Sequence, residues 1–422
     1  MINVSPIKFL GSKVILAFSI LFACESKEVV HHFDPKDNSN IVFIGNTFAD
    51  RLQNNNYFET LLYKSFPERN LKVRNLAWNA DEVSLRPRPL DFGTLDDHLH
   101  QQKADVIFAC FGLNEAFKGQ EGLTDFSKDL QDFLKHLQQQ QFNGINSPQI
   151  VLVSPIAQEN KGGFLPDPKV NNQNLSLYTE QMRKVAASLN IPFIDLYQPT
   201  KEWMGSSEVL TSNGIHLTDN GYLKVSEYMA EALGFPVATW EENASFEWLR
   251  EAVAKKNQHF FYRFKAQNGE YIYGRRKEWS GGEKLKEENR VIDGIIERLD
   301  SVVWAGSAAN SLADIEKAKK MTSFNQGVKK TKSQPTTLEE LEKAKSQFVL
   351  QEGYKIELFA SELDFPIANA VAITFDPQGR MWVSSMPSYP QYTPGDMPLD
   401  KLIILEDTNL DGKADKHSIF AD

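Results

Sequence analysis

Short apolar runs alternate with helical patterns between residues 40 and 234. Runs at 41–45, 71–76, 106–111, 150–154 and 193–196 predict strands, and apolar periodicity near 58–65, 123–139, 175–189 and 221–233 predicts helices. Strands separated by about 30 to 40 residues, with helices between them, indicate right-handed β-α-β crossovers and a mainly parallel sheet. The pattern therefore predicts an α/β domain with five strands in a flavodoxin-like, three-layer α/β/α architecture.

Two further segments follow this domain. Residues 235–310 predict an appendage, with a helix near 246–254, a hairpin of strands 260–264 and 271–273 around Asn268-Gly269, and a helix at 291–299. We expect its aromatic side chains to pack against the main domain, and the alternative is that they stack a sugar or a base. Residues 311–348 carry many lysines and few large apolar residues, which predicts a polar linker with one or two solvated helices. One of these helices begins with the capping-box pattern of Thr337 and Glu340.

The hydrophobic pattern changes again in residues 349–422. Alternating runs at 354–359, 371–375, 380–384 and 402–405 predict strands at roughly ten-residue spacing, which is typical of an all-β unit. A turn follows in which Asp407, Asn409, Asp411 and Asp415 fit the first part of an EF-hand-like calcium loop. Ser418 stands where that loop needs a glutamate, so the alternatives are a bound Ca²⁺ and a tight turn.

The first residues of the chain predict export. Lys8 and Lys13 precede an apolar run at 14–23. The run is too short for a comfortable membrane span and is typical of a secretory signal. The sequence Leu-Phe-Ala-Cys24 resembles a bacterial lipobox, which implies lipidation of Cys24. We therefore expect residues 1–24 to be a lipoprotein signal peptide and 25–39 a tether. The mature protein would be anchored on the periplasmic or cell-surface side of a bacterial membrane. The alternative is a plain signal peptide or an uncleaved anchor.

Composition narrows the classes of partner. The 422 residues are enough for two or three domains, and the net charge of −10 argues against nucleic acid as a general partner. Two cysteines cannot build a disulfide framework, and Cys110 lies within an apolar run, as a small buried residue would. Dinucleotide and phosphate-loop patterns are absent from the sequence, so we expect no nucleotide cofactor. The sequence leaves the oligomeric state open.

Polar residues cluster at four places that follow predicted strands or precede a helix. They are Gly45-Asn46-Thr47, the stretch from Asn75 to Ala80, the stretch from Gly112 to Glu115, and Asn213-Gly-Ile-His216. In a parallel sheet the carboxyl ends of the strands meet at one edge, where ligands bind. The order and spacing of these stretches resemble the four blocks of the SGNH/GDSL hydrolases, over about 200 residues.

This resemblance implies a role for each matching residue. Thr47 occupies the position of the nucleophilic serine, and His216 that of the base, with Asn213 where the family has an aspartate. The Ala80 N–H and the Asn114 side chain would form the oxyanion hole. The β-branched Thr47 is stiffer than serine, and Asn213 cannot offset the charge of an imidazolium.

These departures favour a domain with a degenerate triad that is weak or inactive as an ester hydrolase and binds a small acylated or carbohydrate ligand. One alternative is an active esterase that uses Thr47 and His216. The other is a non-catalytic spacer within a larger haem-dependent oxidoreductase. We expect no cofactor in the SGNH-like domain itself.

Residues 349–422 carry a second resemblance. The stretches 357–360, 375–383, 389–390 and 405–415 are similar to the start of the β-propeller of glucose/sorbosone-dehydrogenase-like proteins. They are more similar to the "membrane-bound dehydrogenase" region of large haem-binding bacterial lipoproteins. About 70 residues supply little more than one propeller blade, so we expect the front piece of a longer protein. No Cys-x-x-Cys-His occurs in the chain, and any haem would bind downstream of it.

Overall fold

The structure is a computed structural model. It describes residues 32–89, 92–206, 208–265, 282–309, 312–321, 337–388 and 398–422. The predicted signal peptide and Cys24, the second strand of the predicted hairpin and the stretch 389–390 lie outside the described residues. Among the helices that are described, none has the length and apolar character needed to cross a membrane.

A five-stranded parallel sheet forms the centre of the N-terminal region. Its strands are β1 (Asn40–Gly45), β2 (Lys72–Asn75), β3 (Val106–Cys110), β4 (Gln149–Val153) and β5 (Phe193–Ile194). They are arranged in the order β2-β1-β3-β4-β5, and every neighbouring pair is parallel. The predicted α/β fold is confirmed, and its strand order is the flavodoxin-like one.

Helices cover both faces of this sheet. They are α1 (Thr47–Asn55), α2 (Tyr57–Ser65), α3 (Leu95–Gln102), α4 (Leu123–Gln139), α5 (Lys169–Ser188), α6 (Tyr197–Met204) and α7 (Asp219–Ala232), with 3₁₀ turns at Glu115–Lys118 and Gln120–Gly122. Alternate residues of each strand enter opposite hydrophobic cores. Ile41 and Phe43 pack in one core, and Val42 and Ile44 pack in the other. Each strand is therefore buried on both faces, which explains its continuous apolar sequence.

The order of the strands reverses between β1 and β3, and the two strands approach closely there. Gly45 has φ +131°, and a Cβ on it would lie 2.0 Å from the carbonyl oxygen of Cys110. The Asn46 N–H donates to that same carbonyl at 3.1 Å, and the Trp78 N–H donates to the carbonyl of Gly45 at 3.0 Å. Only glycine fits at position 45, and the loops that follow β1 and β2 are fixed at the edge of the sheet.

Two helices, α8 (Ala244–Phe264) and α9 (Gly282–Ser307), form most of the described part of the appendage. A third, α10 (Leu312–Met321), lies in the predicted linker and is not fully solvated, because Ile315 and Ala318 are buried. The predicted strand at 260–264 is wrong, because α8 continues to Phe264. Its buried residues, from Phe246 through Leu249 and Val253 to Phe260, recur at helical spacing along one face. Burial of that face overrides the strand propensity of the aromatic residues.

A buried set of charges joins α8 and α9 to the α/β domain. Lys256 of α8 is fully buried, forms an ion pair with Glu59 of α2, and donates to the Val73 carbonyl of β2 at 3.1 Å. Nearby, both terminal nitrogens of Arg74 bind the Asp300 carboxylate, at 3.0 and 2.5 Å. Two cations face two carboxylates, so the cluster is neutral overall. The appendage is thus fixed to the domain by polar contacts that need each partner.

The C-terminal residues form a separate antiparallel sheet. After α11 (Leu338–Ser346), its strands are β6 (Ala370–Phe375), β7 (Met381–Ser385), β8 (Lys401–Glu406) and β9 (Lys416–Ala421), in that order. The predicted capping box of α11 is confirmed. The predicted strand at 354–359 is wrong. That segment has no strand pairing, and Phe359 accepts a hydrogen bond from the Ala414 N–H and packs on the small core instead. The propeller assignment stays a prediction.

We expect Lys256→Met to lower the free energy of unfolding by about 3–5 kcal/mol, because it leaves the Glu59 carboxylate buried without its cation. Urea denaturation of the full chain measures this loss. The neighbouring Lys255 is exposed, so Lys255→Met serves as the matched control, with a change within about 0.5 kcal/mol. Adding Glu59→Gln to Lys256→Met should recover part of the loss. Equal effects of the two lysine substitutions would contradict the role of the buried pair.

Candidate active site

The first site residue lies at the start of α1. Asn46 is buried and caps the helix, since its Oδ1 accepts from the Phe48 N–H at 3.1 Å. Thr47, partly exposed, is the first helical residue. Asn46 therefore has a structural role at the helix N-terminus. The Thr47 hydroxyl is left at the carboxyl edge of the sheet, beside the strand-order reversal.

Ala80 and Asn114 lie beside this hydroxyl. The Ala80 N–H donates to Thr47 Oγ1 at 3.3 Å, and the Asn114 Nδ2 donates to the Ala80 carbonyl at 3.3 Å. Ala80 has φ +64°, a left-handed conformation that costs an L-residue about 1–2 kcal/mol. Three of the five residues that the sequence selects are thus joined by hydrogen bonds. The amide assigned to an oxyanion hole points at the residue assigned as the nucleophile.

A buried carboxylate, which sequence reasoning did not select, holds these loops together. Glu115 accepts from the Gly112 N–H and the Val83 N–H, each at 2.9 Å. Burial raises the pKa of this carboxyl group, while the two N–H donors oppose that rise. Glu115 follows Asn114 directly, and its polar side chain after a buried strand was the available signal. Its partner at Val83 could not be read from the sequence.

Asn213 and His216 lie three residues apart in the same loop and contact each other through their side chains. The Asn213 Oδ1 accepts from the backbone N–H of His216 at 3.0 Å and from that of Ile215 at 3.3 Å. These two donors fix the orientation of the amide, so its Nδ2 is the atom that faces the His216 Nδ1, at 3.0 Å. Because an NH₂ group donates, Nδ1 of the neutral imidazole accepts and Nε2 carries the proton. A histidine in this tautomer cannot take a proton at Nε2.

A second buried carboxylate outside the sequence prediction shapes the loop of His216. Glu159 accepts from the Thr211 N–H at 2.7 Å and also from the Thr211 hydroxyl. That hydroxyl accepts from the Gly214 N–H at 2.9 Å, and the Glu159 N–H donates to the Gly214 carbonyl at 2.8 Å. Glu159 therefore stabilises the turn that carries Asn213 and His216. Only the tertiary fold brings it there, from a loop about 50 residues earlier.

Contacts of α7 with α1 and α2 place His216 along α1. Phe48 stacks on Tyr222 with ring centroids 6.2 Å apart, and the Asp219 carboxylate accepts from the Asn55 side chain at 2.8 Å and from the Tyr57 hydroxyl at 2.7 Å. His216 precedes α7 and lies within the electrostatic reach of Arg51 in α1. Its pKa is lowered, first by partial burial and then by the Arg51 charge.

The catalytic contact itself is absent from this arrangement. Thr47 and His216 both belong to the described part of the chain, and no hydrogen bond joins the hydroxyl to the imidazole. The hydroxyl is bonded to Ala80, and the imidazole is bonded to Asn213. The nucleophile-to-base contact that activates a hydroxyl is therefore not formed.

The residues around Trp78 form another wall near this edge. The guanidinium of Arg88 lies over the Trp78 ring at 4.5 Å, and the ammonium of Lys265 lies 4.9 Å from the same ring. Arg88 binds both oxygens of Asp81, at 2.8 and 2.6 Å, and Lys265 forms an ion pair with Asp50. Lys265 directly follows α8, so the appendage reaches the surroundings of the site.

The candidate calcium residues form a tight turn. Asp407 accepts from the N–H groups of Asp411 and Gly412, at 3.2 and 2.8 Å, and Asp415 accepts from Thr408. Within the described ranges, no group of three or more His, Cys, Asp or Glu side chains is arranged to hold a metal ion. Asn409, whose Oδ1 accepts from the Asp411 N–H at 2.9 Å, is part of the same turn. Calcium binding at this turn stays a prediction.

A known family model matches most of the α/β domain. Residues 43–224 match the model of the GDSL-like lipase/acylhydrolase family. This range contains all five selected site residues, and the GDSL-like acylhydrolase character of the domain is supported. Residues 340–422 match DUF7133, a domain of unknown function. No curated protein matches the chain.

Solved structures with a similar α/β region include two hydrolases and a drug-metabolising enzyme. Axe2, an acetylxylan esterase from Geobacillus stearothermophilus, is 16% identical, with 50% of this chain and 100% of that chain covered, at a TM-score of 0.39. LAE5, an alpha/beta hydrolase from the metagenome of Lake Arreo, Spain, is 15% identical. The match covers 47% of this chain and 97% of that chain, with a TM-score of 0.37. BT4096, a gut microbial diltiazem-metabolizing enzyme, is 19% identical. The match covers 49% of each chain, with a TM-score of 0.40.

We expect His216 to titrate below its ordinary pKa of 6.5, because burial and the Arg51 charge both disfavour the imidazolium. Its neutral form should carry the proton on Nε2, as read from ¹H–¹⁵N NMR couplings. Asn213→Asp should raise the pKa and move the proton to Nδ1, since a carboxylate accepts from that atom. The spectrum of His216→Gln assigns the signal. A wild-type proton on Nδ1 would refute this account of the Asn213 amide.

Proposed function

We propose that the GDSL-like domain binds a small acylated or carbohydrate ligand at Thr47, Ala80 and Asn114, and that it hydrolyses esters weakly or not at all. The observation that carries this proposal is the hydrogen bond from the Asn213 amide to the His216 Nδ1, at 3.0 Å. It supports a degenerate triad within an acylhydrolase-type fold. The hydroxyl, the amide N–H and the carboxamide at the sheet edge are suited to an acyl carbonyl or to sugar hydroxyl groups.

The chemistry of the missing step supports weak hydrolysis. To attack an ester, the Thr47 hydroxyl must lose a proton to the imidazole Nε2, and that atom already carries one. Proton transfer would also create an imidazolium, which Asn213 cannot stabilise and the Arg51 charge opposes. In a serine protease, replacing the triad aspartate by asparagine lowers kcat by about 10⁴, through the same change of tautomer.

An active esterase is the second candidate, and the contact between Ala80 and Thr47 favours it. The N–H of an oxyanion hole must lie close to the attacked carbonyl, and here it lies 3.3 Å from the hydroxyl that would attack. In this alternative, Thr47 is the nucleophile and His216 the base, and Ala80 with Asn114 stabilises the oxyanion. The imidazole would then have to leave Asn213 and take the other tautomer.

The C-terminal sheet supports a third candidate, in which the GDSL-like domain is a spacer within a larger oxidoreductase. A four-stranded antiparallel sheet, with its strands adjacent in chain order, has the size and connectivity of one propeller blade. In this proposal the remaining blades and any haem belong to sequence downstream of residue 422. A Cys-x-x-Cys-His motif in that sequence would favour it.

We expect the full chain to hydrolyse p-nitrophenyl acetate barely faster than its His216→Ala variant. Asn213→Asp should raise kcat/KM by about tenfold or more, because a carboxylate restores the tautomer and stabilises the imidazolium. Adding Thr47→Ser should raise it further, since the methyl group that crowds the acyl carbon is removed. The acid limb of the pH profile should move to higher pH in Asn213→Asp, as the pKa of His216 rises.

The opposite kinetic result would establish that the protein is an active esterase. Wild-type hydrolysis that is lost in His216→Ala, and is not increased by Asn213→Asp, would show that the asparagine supports catalysis as it stands. Circular dichroism spectra of all variants provide the control for folding.

We also propose that the protein is lipid-anchored through Cys24, on the basis of the resemblance of residues 21–24 to a lipobox. In a bacterial host given radiolabelled palmitate, the wild-type chain should incorporate label and sediment with membranes. Cys24→Ser should lose the label, because a hydroxyl cannot form the thioether of a lipoprotein, and Cys110→Ser serves as the matched control. Label that remains in Cys24→Ser would overturn the proposal.

A further inference from the structure

Arg51 is a cation at the candidate site that has no ion-pair partner among the described residues. Among the described residues, no carboxylate lies within ion-pair distance of it, and no hydrogen bond holds its guanidinium. The carboxylates closest in sequence and on the facing helix have other partners. Asp50 pairs with Lys265, and Asp219 accepts from Asn55 and Tyr57. The charge of Arg51 is thus available to a ligand.

The geometry of α1 directs this charge to the Thr47 hydroxyl. Arg51 follows Thr47 by one helical turn, so the two side chains share a face of α1. Side chains in a helix lean towards its N-terminus, and from this general geometry we infer that the guanidinium lies over the turn that begins with Thr47. The effect of Arg51 on His216 and on Tyr222 shows that its charge reaches the α7 side of the site as well.

The sign of the local charge is opposite to the one that ester hydrolysis requires. A triad places a carboxylate beside the histidine to stabilise an imidazolium. This site has the neutral Asn213 in that position and adds a guanidinium, although the whole chain has a net charge of −10. With no hydrogen-bond or ion-pair partner among the described residues, the guanidinium donors of Arg51 are available to an anion.

We propose that the ligand of this site bears a carboxylate, which Arg51 binds beside the Thr47 hydroxyl. A planar guanidinium matches a carboxylate through two parallel hydrogen bonds, and one arginine balances its single charge. Ala80 and Asn114 would then contact the acyl or sugar part of the same ligand. The inference rests on the proposed function, and it narrows the ligand to an acidic acyl compound or an acidic sugar.

The test compares two probes that differ at one carbon. D-galacturonate and D-galactose are titrated into the full chain by isothermal calorimetry at pH 7.5 and low salt. We expect galacturonate to bind more tightly than galactose, and its affinity to fall as NaCl is added. Arg51→Gln should weaken galacturonate binding by about tenfold or more, and galactose binding by a much smaller factor, so that the preference for galacturonate is lost.

Two further variants separate a specific contact from general electrostatics. Arg51→Lys should restore part of the affinity, because it keeps the charge but not the paired hydrogen bonds. Arg69 is an exposed arginine paired with Asp34 and Asp37, and Arg69→Gln is the matched control with no expected effect. A change of the His216 pKa in Arg51→Gln, measured by NMR, confirms that the substituted charge acts at the site.

The outcomes distinguish this inference from the proposed function. Equal affinity for both sugars, or galacturonate binding that survives Arg51→Gln, overturns the carboxylate specificity and leaves ligand binding intact. If neither sugar binds, and succinate and methyl butyrate also fail to bind, the ligand-binding function itself fails and this inference fails with it. Succinate binding that depends on Arg51, without galacturonate binding, supports an acidic acyl compound as the ligand.

Discussion

The close approach of β1 and β3 is the constraint on which the candidate site depends. A side chain at position 45 would lie 2.0 Å from the Cys110 carbonyl, so the chain can leave β1 only at a glycine. The same carbonyl then accepts from the Asn46 N–H, and Asn46 caps α1. One backbone contact therefore sets the direction of α1 and the positions of both Thr47 and Arg51. It occurs where the strand order reverses, the place where open α/β sheets bind their ligands.

Buried carboxylates, together with apolar side chains of the two cores, fix the loops that surround this edge. Glu115 joins the loop after β2 to the loop after β3, and Glu159 holds the turn of His216. Each accepts hydrogen bonds from backbone N–H groups that would otherwise be buried without a partner, which is costly. The loops that carry Ala80, Asn114 and His216 are therefore held in a defined geometry.

The electrostatics of the candidate site determine which chemistry its residues can support. The Asn213 amide presents a donor to His216 where a carboxylate would present an acceptor, and the Arg51 charge adds to the cost of an imidazolium. Both effects oppose proton transfer from Thr47. Both also raise the positive potential at the site, which suits an anionic ligand. The proposed weak hydrolysis and the proposed preference for a carboxylate thus rest on the same electrostatic features.

The sequence by itself determined the α/β class, the five strands and the residues at the sheet edge. Continuous apolar strands and helical periodicity are local patterns, and Thr47, Ala80 and Asn114 lie in the short stretches that come after predicted strands. The tertiary structure alone decided which way the Asn213 amide points, and it brought Glu159 and Arg51 to the histidine. It also turned the aromatic stretch at Phe260 into a helix, because burial against the domain outweighs local propensity. These features depend on contacts between residues far apart in the chain, and a local pattern carries no information about them.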